Sequence, residues 1–348
     1  MEYSNLKISP HLIESTLKLI ESALEYQKPN SFAQDFYPIF HPSNFENNHL
    51  LINDQNEVCA HIAVKLSTII INQIEFPLIM LGGIAVEKKF QGQGLYKKLM
   101  ADVLNRYQKK YCFALLWSDL DYLYRPFDFY QVFTQFQLKK KSPMEKLPSI
   151  EKTKLNKLTH GDKIQIQNLY KNSFCSKFIS ISREKTHWKT LEQIESADLF
   201  IRRDLKNIIG SYFFQNKGQD LQNIIYEYGT INNLEDWMIE ITNYGEVWSS
   251  HLPQNLNEDD YIISTGAYLK ILNTDLFSNF IRHLTSNQIT HLKIETYETL
   301  NEKKVKFNFK NDLIECNMES FLQGILGPNF FEDFNQSKPI FISGIDSI

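Results

Sequence analysis

Apolar and polar residues alternate along the first part of the chain in the pattern of an α/β protein. Residues 9–27 place apolar side chains three or four positions apart, which predicts an amphipathic helix. Two β-rich runs at residues 50–52 and 58–66 flank a polar turn, which predicts a hairpin. Residues 78–86 are almost wholly apolar, as expected of a strand that is buried on both faces.

The same pattern continues after this buried strand. Residues 95–111 have the spacing of a helix, residues 112–117 form a second apolar strand, and a short helix is predicted across Tyr122. The order β-β-β-α-β-α is that of a layered α/β domain. The basic run at residues 139–141 and the following Pro143 predict a linker after this unit.

Beyond the linker the pattern predicts further helices and strands. We expect helices from Asp162 onward and at residues 234–250, 276–284 and 318–326, and strands at residues 199–203, 208–214, 223–228, 266–272, 292–296 and 304–309. A chain of 348 residues with 43% apolar side chains is long enough for more than one hydrophobic core.

Composition excludes several classes of function. The net charge of -4 argues against a general nucleic-acid-binding protein, which normally carries a basic surface. The four cysteines lie far apart without metal-ligand spacing, which argues against zinc. The first twenty residues lack the apolar segment of a secretion signal, and no apolar run reaches the roughly 18 residues of a membrane span. We therefore expect a cytoplasmic protein with no metal, no membrane partner and no nucleic acid.

The segment most informative about chemistry is residues 81–100, LGGIAVEKKFQGQGLYKKLM, where a buried strand leads through QGQG directly into a helix. The free amides of a first helical turn and the positive end of the helix dipole form an anion site, and glycine lets a phosphate approach the backbone. We therefore expect a pyrophosphate here. The alternative is that the glycines serve only the steric needs of the turn.

This segment resembles the coenzyme A-binding motif of the GNAT acetyltransferase superfamily, Q/R-x-x-G-x-G/A, with Tyr96 in place of the final small residue. Together with DFYPIFHPSN and LYRPFDF, it is similar to the enhanced intracellular survival branch of that superfamily. The resemblance covers residues 30–135 with specific motifs. It implies an N-acetyltransferase that uses acetyl-CoA as co-substrate and no metal.

The resemblance also assigns roles to individual residues. It places the cofactor pyrophosphate on the amides of Gln91, Gly92, Gln93, Gly94, Leu95 and Tyr96, and the pantetheine arm on the backbone of Ile84, Ala85 and Val86. Tyr124 stands where GNAT enzymes commonly hold a tyrosine near the thioester sulfur. A tyrosine with a pKa of about 10 can protonate a departing thiolate with a pKa of about 8.5. The alternative for Tyr124 is aromatic packing.

For the fold, the resemblance implies a GNAT-type mixed sheet flanked by helices at residues 1–145. A second, degenerate GNAT-like domain without the cofactor loop is expected at residues 155–260. Residues 261–348 are interpreted either as a small sterol-carrier-like α+β region or as the closing half of the second GNAT-like domain.

Residues 339–348 stay apolar to the last position, which predicts that this segment is docked against the protein. By the same resemblance, the carboxylate of Ile348 is expected in the active site, where it would orient or deprotonate the attacking amine. The alternative is a strand at the rim of the sheet.

The expected reaction is direct attack of a primary amine, on a small molecule or a lysine, on the acetyl thioester, because proximity and orientation alone supply much of the rate. One alternative is a catalytically silent protein that binds acetyl-CoA. Another is a tRNA-dependent aminoacyl transferase, which the acidic charge balance disfavours. The sequence indicates no oligomeric state.

Overall fold

The structure is a computed structural model that describes residues 3–141, 150–219, 221–254, 256–297, 302–310, 312–332, 334 and 338–346. The strands are β1 Tyr3–Lys7, β2 Asn48–Asn53, β3 Val58–Ile71, β4 Ile74–Val86, β5 Phe113–Leu116, β6 Tyr130–Leu138, β7 Glu151–Thr153, β8 Ala197–Arg203, β9 Ile209–Asn216, β10 Ile224–Thr230, β11 Glu246–Ser249, β12 Tyr261–Ile271, β13 Ile289–Tyr297, β14 Glu302–Phe309 and β15 Asp312–Asn317. The helices are α1 Ile13–Ala23, α2 Phe32–Asp35, α3 Tyr37–Phe40, α4 Leu95–Tyr107, α5 Asp121–Tyr124, α6 His160–Leu169, α7 Cys175–Lys177, α8 Lys185–Leu191, α9 Leu234–Ile241, α10 Thr274–Leu284 and α11 Met318–Leu326.

Twelve strands form one mixed sheet in the order β1-β2-β3-β4-β5-β12-β6-β11-β10-β9-β8-β7. Strands β13, β14 and β15 form a separate antiparallel sheet. The predicted fold class, a mixed sheet flanked by helices, is confirmed. No helix in the described ranges is long and apolar enough to cross a membrane.

The large sheet has the same strand pattern when it is followed inward from either edge. From one edge, β1 to β4 are antiparallel and β4 then pairs with β5 in parallel. From the other edge, β7 to β10 are antiparallel and β10 pairs with β11 in parallel. A helix connects each parallel pair, α4 in the first half of the chain (residues 3–141) and α9 in the second half (residues 150–346), as parallel pairing requires.

The two halves exchange a strand at the centre of the sheet. Strand β12 lies between β5 and β6, so that Tyr268 pairs with Leu116 on one side and with Gln131 on the other. Strand β6 in turn pairs with β11 of the second half. Residues that follow position 260 in the chain therefore complete the sheet of the first half.

Helices cover both faces of the first half. Helix α4 packs on one face through Leu95, Leu99 and Val103, all of which are buried. Helix α1 packs on the other face through Leu19 and Ile20. The apolar positions of each helix fall on the side that faces the sheet. Because β4 ends at Val86 and α4 begins at Leu95, the start of α4 lies close to the end of β4.

The predicted helix over residues 234–250 is wrong at its end. The structure has α9 and then β11, in which Val247 and Ser249 are buried and Glu246 and Trp248 are half-buried. This alternation has the period of a strand. The sequence interpretation extended the helix across Gly245, the residue that immediately precedes the strand.

Because β12 fills the gap between β5 and β6, we predict that the first half does not fold on its own. We expect a fragment of residues 3–141 to lack cooperative thermal unfolding by circular dichroism, because removal of β12 exposes the edges of β5 and β6 and their buried side chains, such as Leu115 and Val132. The matched control joins residues 258–285 to Lys141 through a short flexible linker, since Tyr261 already pairs with Leu138. Cooperative unfolding of the shorter fragment would contradict the prediction.

Candidate active site

A wedge opens in the first half of the sheet where β4 and β5 diverge. Their parallel pairing is confined to Ile79 with Ala114 and Met80 with Leu115. Strand β4 continues to Val86, while β5 ends one residue after its second pairing position. The backbone groups of residues 81–86 that face β5 are therefore not used by that strand.

The start of helix α4 lies at the end of β4, beside this wedge. Gly92 and Gly94 both have left-handed backbone conformations, with φ of 77° and 78°, which glycine adopts without steric cost. Gly94 is the N-cap of α4 and has no side chain to occupy the amides of the first turn. A Cβ atom added at either glycine would meet no heavy atom within 4 Å. The Gln91 amide donates to the Lys88 carbonyl at a long 3.3 Å. The amides that follow it lie at the positive end of a helix, with open space beside the two glycines.

Side chains hold this loop in place from two directions. The Tyr3 hydroxyl donates to Gln93 Oε1 at 2.7 Å. The Tyr96 hydroxyl donates to the carbonyl of Leu123 at 3.0 Å, which ties α4 to α5. The departure of Tyr96 from the small residue of the family motif therefore has a structural role, because its ring also packs against Phe127 at 5.6 Å between centroids.

Tyr124 lies in the same aromatic cluster. It is 6% exposed, and its ring centroid is 6.4 Å from that of Tyr96 and 5.9 Å from that of Tyr268. Burial raises the pKa of Tyr124, although a hydrogen bond with Ser118 opposes the shift. The hydroxyl therefore remains protonated at neutral pH and has a proton to give.

The end of β4 is irregular next to the wedge. The pairing of β3 with β4 shifts register between His61 and Ala63, and Gly83 has a φ of 56°. His61 Nδ1 lies 2.7 Å from the carbonyl oxygen of Gly83 and donates to it. Burial lowers the pKa of His61 to about 4, while this bond opposes the shift. The predicted pantetheine contacts, Ile84 to Val86, follow directly after this bulge.

The corresponding loop of the second half is built differently. The Asn233 side chain caps α9 and accepts from the amides of Glu235 and Asp236 at 2.8 Å and 3.1 Å. Those two acidic residues also put negative charge on the first turn. An anion is therefore disfavoured at this helix, in contrast to α4.

A buried cluster of charges was not predicted from the sequence. Arg183 donates to Asp346 from Nε and Nη2 and to Glu227 from Nη1, the last at 3.0 Å. The side chains of Arg183, Glu227 and Asp346 are fully buried. The Tyr170 ring lies 3.8 Å from the guanidinium carbon. The cluster ties residues 338–346 to the second half.

The first half joins this cluster through Lys65 of β3, whose Nζ donates to the main-chain oxygen of Asp346 at 2.7 Å. Burial lowers the pKa of Lys65 to about 8, while Asp346 opposes the shift. Burial would raise the pKa of Asp346, but Arg183 outweighs it and the pKa is lowered. Two cations and two carboxylates thus balance inside the protein, as buried charges require.

The segment that carries Asp346 is docked, as its apolar sequence predicted. Phe341 packs against Phe178 at 5.3 Å between ring centroids, and its amide donates to Ile179. Ile348 lies outside the described residues, so the placement of its carboxylate stays a prediction.

Within the described ranges, no group of three His, Cys, Asp or Glu side chains is arranged to hold a metal ion. The four cysteines are free thiols.

The wedge, the glycine loop and the helix that follows together form a place suited to an anion at the end of a buried strand. Residues 7–132 match the family model of the acetyltransferase (GNAT) domain. Over these residues the chain resembles GNAT acetyltransferase domains, and this match supports an acyltransferase. A comparison with curated proteins finds no significant match.

Solved structures with low sequence identity share the fold over most of the chain. A probable N-acyltransferase from Enterococcus faecalis V583 is 12% identical with a TM-score of 0.59, and the match covers 91% of this chain and 86% of that one. Eis1 from Mycobacterium abscessus is 9% identical with a TM-score of 0.54, covering 90% and 85%. Saccharomyces cerevisiae N-myristoyltransferase with bound myristoyl-CoA and inhibitors is 12% identical with a TM-score of 0.52, covering 77% and 78%.

The buried charge cluster gives a prediction about stability. The Arg183→Gln variant leaves two buried carboxylates, Glu227 and Asp346, with Lys65 as the one remaining cation of the cluster, so we expect it to lose about 3–5 kcal/mol of unfolding free energy in urea titrations. The control is Arg125→Gln, whose partner Glu319 and whose own side chain are both about one third exposed or more. That variant should lose less than about 1 kcal/mol. Equal losses of unfolding free energy in the two variants would contradict the conclusion that the buried charge cluster stabilises the fold.

Proposed function

We propose that this protein transfers an acetyl group from acetyl-CoA to a primary amine by direct attack. The observation that carries the proposal is the pair of left-handed glycines at the start of α4, beside the wedge between β4 and β5. An acyl-CoA fits this place, because its pyrophosphate needs free amides and its thioester must reach into the sheet.

The proposed cofactor contacts follow the loop. The pyrophosphate accepts from amides of residues 91–96, and the open space at the Cβ positions of Gly92 and Gly94 leaves room for its oxygens. The pantetheine arm lies along Ile84, Ala85 and Val86, whose backbone groups on the β5 side are left unused by that strand. The name of the matching family, an acetyltransferase, favours acetyl as the group that is transferred. The yeast neighbour binds a longer acyl-CoA.

In the proposed reaction the neutral amine attacks the thioester carbonyl and the carbon-sulfur bond breaks. The departing thiolate takes the proton of the Tyr124 hydroxyl, which burial keeps protonated. The attacking nitrogen releases its surplus proton to solvent as the amide forms, and Tyr124 regains a proton from solvent, so that the products are the amide and the free coenzyme A thiol. No covalent enzyme intermediate is needed, because the enzyme contributes chiefly by holding amine and thioester together. The acceptor is a small-molecule amine or a lysine side chain.

The cofactor site is tested by the Gly94→Val variant. We expect at least about tenfold weaker binding of acetyl-CoA in calorimetry, because a β-branched side chain occupies the phosphate position and disfavours a φ of 78°. Gly161→Val is the control. Gly161 lies in α6, outside the 91–96 loop, and within 4 Å its added Cβ would meet only Thr159 Oγ1, at 3.9 Å. A folded Gly94→Val protein with unchanged affinity would remove the loop from the site.

The role of Tyr124 is tested by Tyr124→Phe, which keeps the ring and removes the proton. We expect kcat to fall by roughly 100-fold while acetyl-CoA still binds. The raised pKa further predicts that the wild-type kcat shows no loss from Tyr124 deprotonation between neutral pH and the ordinary tyrosine pKa near 10. Tyr122→Phe is the control, because Tyr122 is 70% exposed. An unchanged kcat in Tyr124→Phe would assign the residue to packing alone.

A further inference from the structure

A cavity of about 1100 Å³ lies away from the cofactor loop, against the second half of the protein. Its walls come from α6, from α8, from residues 178–183 and from the tip of the β3-β4 hairpin at residues 70–72. Ligand pockets in proteins commonly measure about 300–1,000 Å³. No residue of the 91–96 loop is among the residues that line this cavity, so the acyl-CoA site does not account for it.

Part of the lining is apolar. Ile181 and Trp188 contribute buried side chains. Ile70 and Ile164 also line the cavity and are 44% and 43% exposed. Large apolar side chains that remain this exposed in a concave site gain free energy when a hydrocarbon covers them.

The charged part of the lining is mainly cationic. Lys163 is balanced by Glu192 at 2.7 Å, and Arg183 is already balanced in the buried cluster. Lys338, which also lines the cavity, is half-buried and donates to the main-chain oxygen of Cys175 at 3.5 Å. Lys171, Lys185 and Lys189 remain as exposed ammonium groups. Glu192 is the single carboxylate among the described lining residues. In a chain whose net charge is -4, this local excess of positive charge favours an anion.

A buried hydroxyl also lines the cavity. Ser180 is 7% exposed, and its Oγ has no hydrogen-bond partner within the described part of the chain. An unsatisfied buried hydroxyl is costly, and most such groups in folded proteins have a partner.

We propose that this cavity binds an anionic amphiphile, a molecule with one negatively charged head group on an apolar body. The head group lies among Lys185, Lys189 and Lys171 at the rim, and the apolar body covers Ile70 and Ile164. The site is separate from the acyl-CoA site, and its occupancy does not depend on acetyl transfer.

The test uses the full chain and decanoate below its micelle concentration as the probe. Binding is followed by calorimetry and by the fluorescence of Trp188, which lines the cavity. We expect decanoate to bind at one site and decylamine, with the same chain and the opposite charge, to bind at least about tenfold more weakly. Decyl phosphate in place of decanoate distinguishes a preference for a phosphate head group from one for a carboxylate.

The variant is Lys185→Gln combined with Lys189→Gln, which should weaken decanoate binding at least about tenfold. Its control is Lys157→Gln combined with Lys206→Gln, which removes the same charge from exposed lysines outside the cavity and should bind as the wild type does. The proposal is overturned if decylamine binds as well as decanoate, if no anionic probe binds, or if the first double variant is unchanged. It is also overturned if acetyl-CoA competes with decanoate, because the probe would then report the acyl-CoA site.

Discussion

The exchange of β6 and β12 is the constraint on which the rest of the structure depends. Each half ends in a parallel pair that needs one more antiparallel neighbour, and each obtains it from a distant part of the chain. Without β12, strand β5 has an open edge at the centre of the sheet, next to the wedge between β4 and β5. The site in the first half is therefore shaped by residues that belong, in sequence, to the second.

Residues 338–346 reinforce this arrangement with electrostatics. Lys65 of the first half and Arg183 of the second both bind Asp346, one at its main-chain oxygen and one at its carboxylate. Glu227 balances the remaining charge. Because these charges are removed from water, the loss of one partner leaves the others uncompensated. The two halves are therefore fixed relative to each other by directional polar contacts as well as by apolar packing.

The arrangement of strand, glycine loop and helix could be predicted from the sequence because its signal is local: a buried strand, two glycines and a helix within twenty residues. That this loop binds a cofactor stays a prediction. Most helices and hairpins were predicted for the same reason. The position of β12 could not be predicted, because its neighbours β5 and β6 precede it by more than 120 residues. The charge cluster could not be predicted for the same reason, because its members at positions 65, 183, 227 and 346 lie far apart in the sequence. Glu227 and Lys65 each stand alone in an apolar strand, which indicates that a partner is needed but not that Arg183 and Asp346 supply it.

The central claim is that the first half catalyses acetyl transfer rather than only binding the cofactor. The most direct measurement is the release of the free coenzyme A thiol from acetyl-CoA, followed with a thiol reagent, in the presence of a panel of primary amines. The account predicts thiol release that depends on both the enzyme and an amine, with acetylated amine formed in equal amount. Tight binding of acetyl-CoA with no amine-dependent release for polyamines, aminoglycoside-like amines or lysine side chains would contradict it.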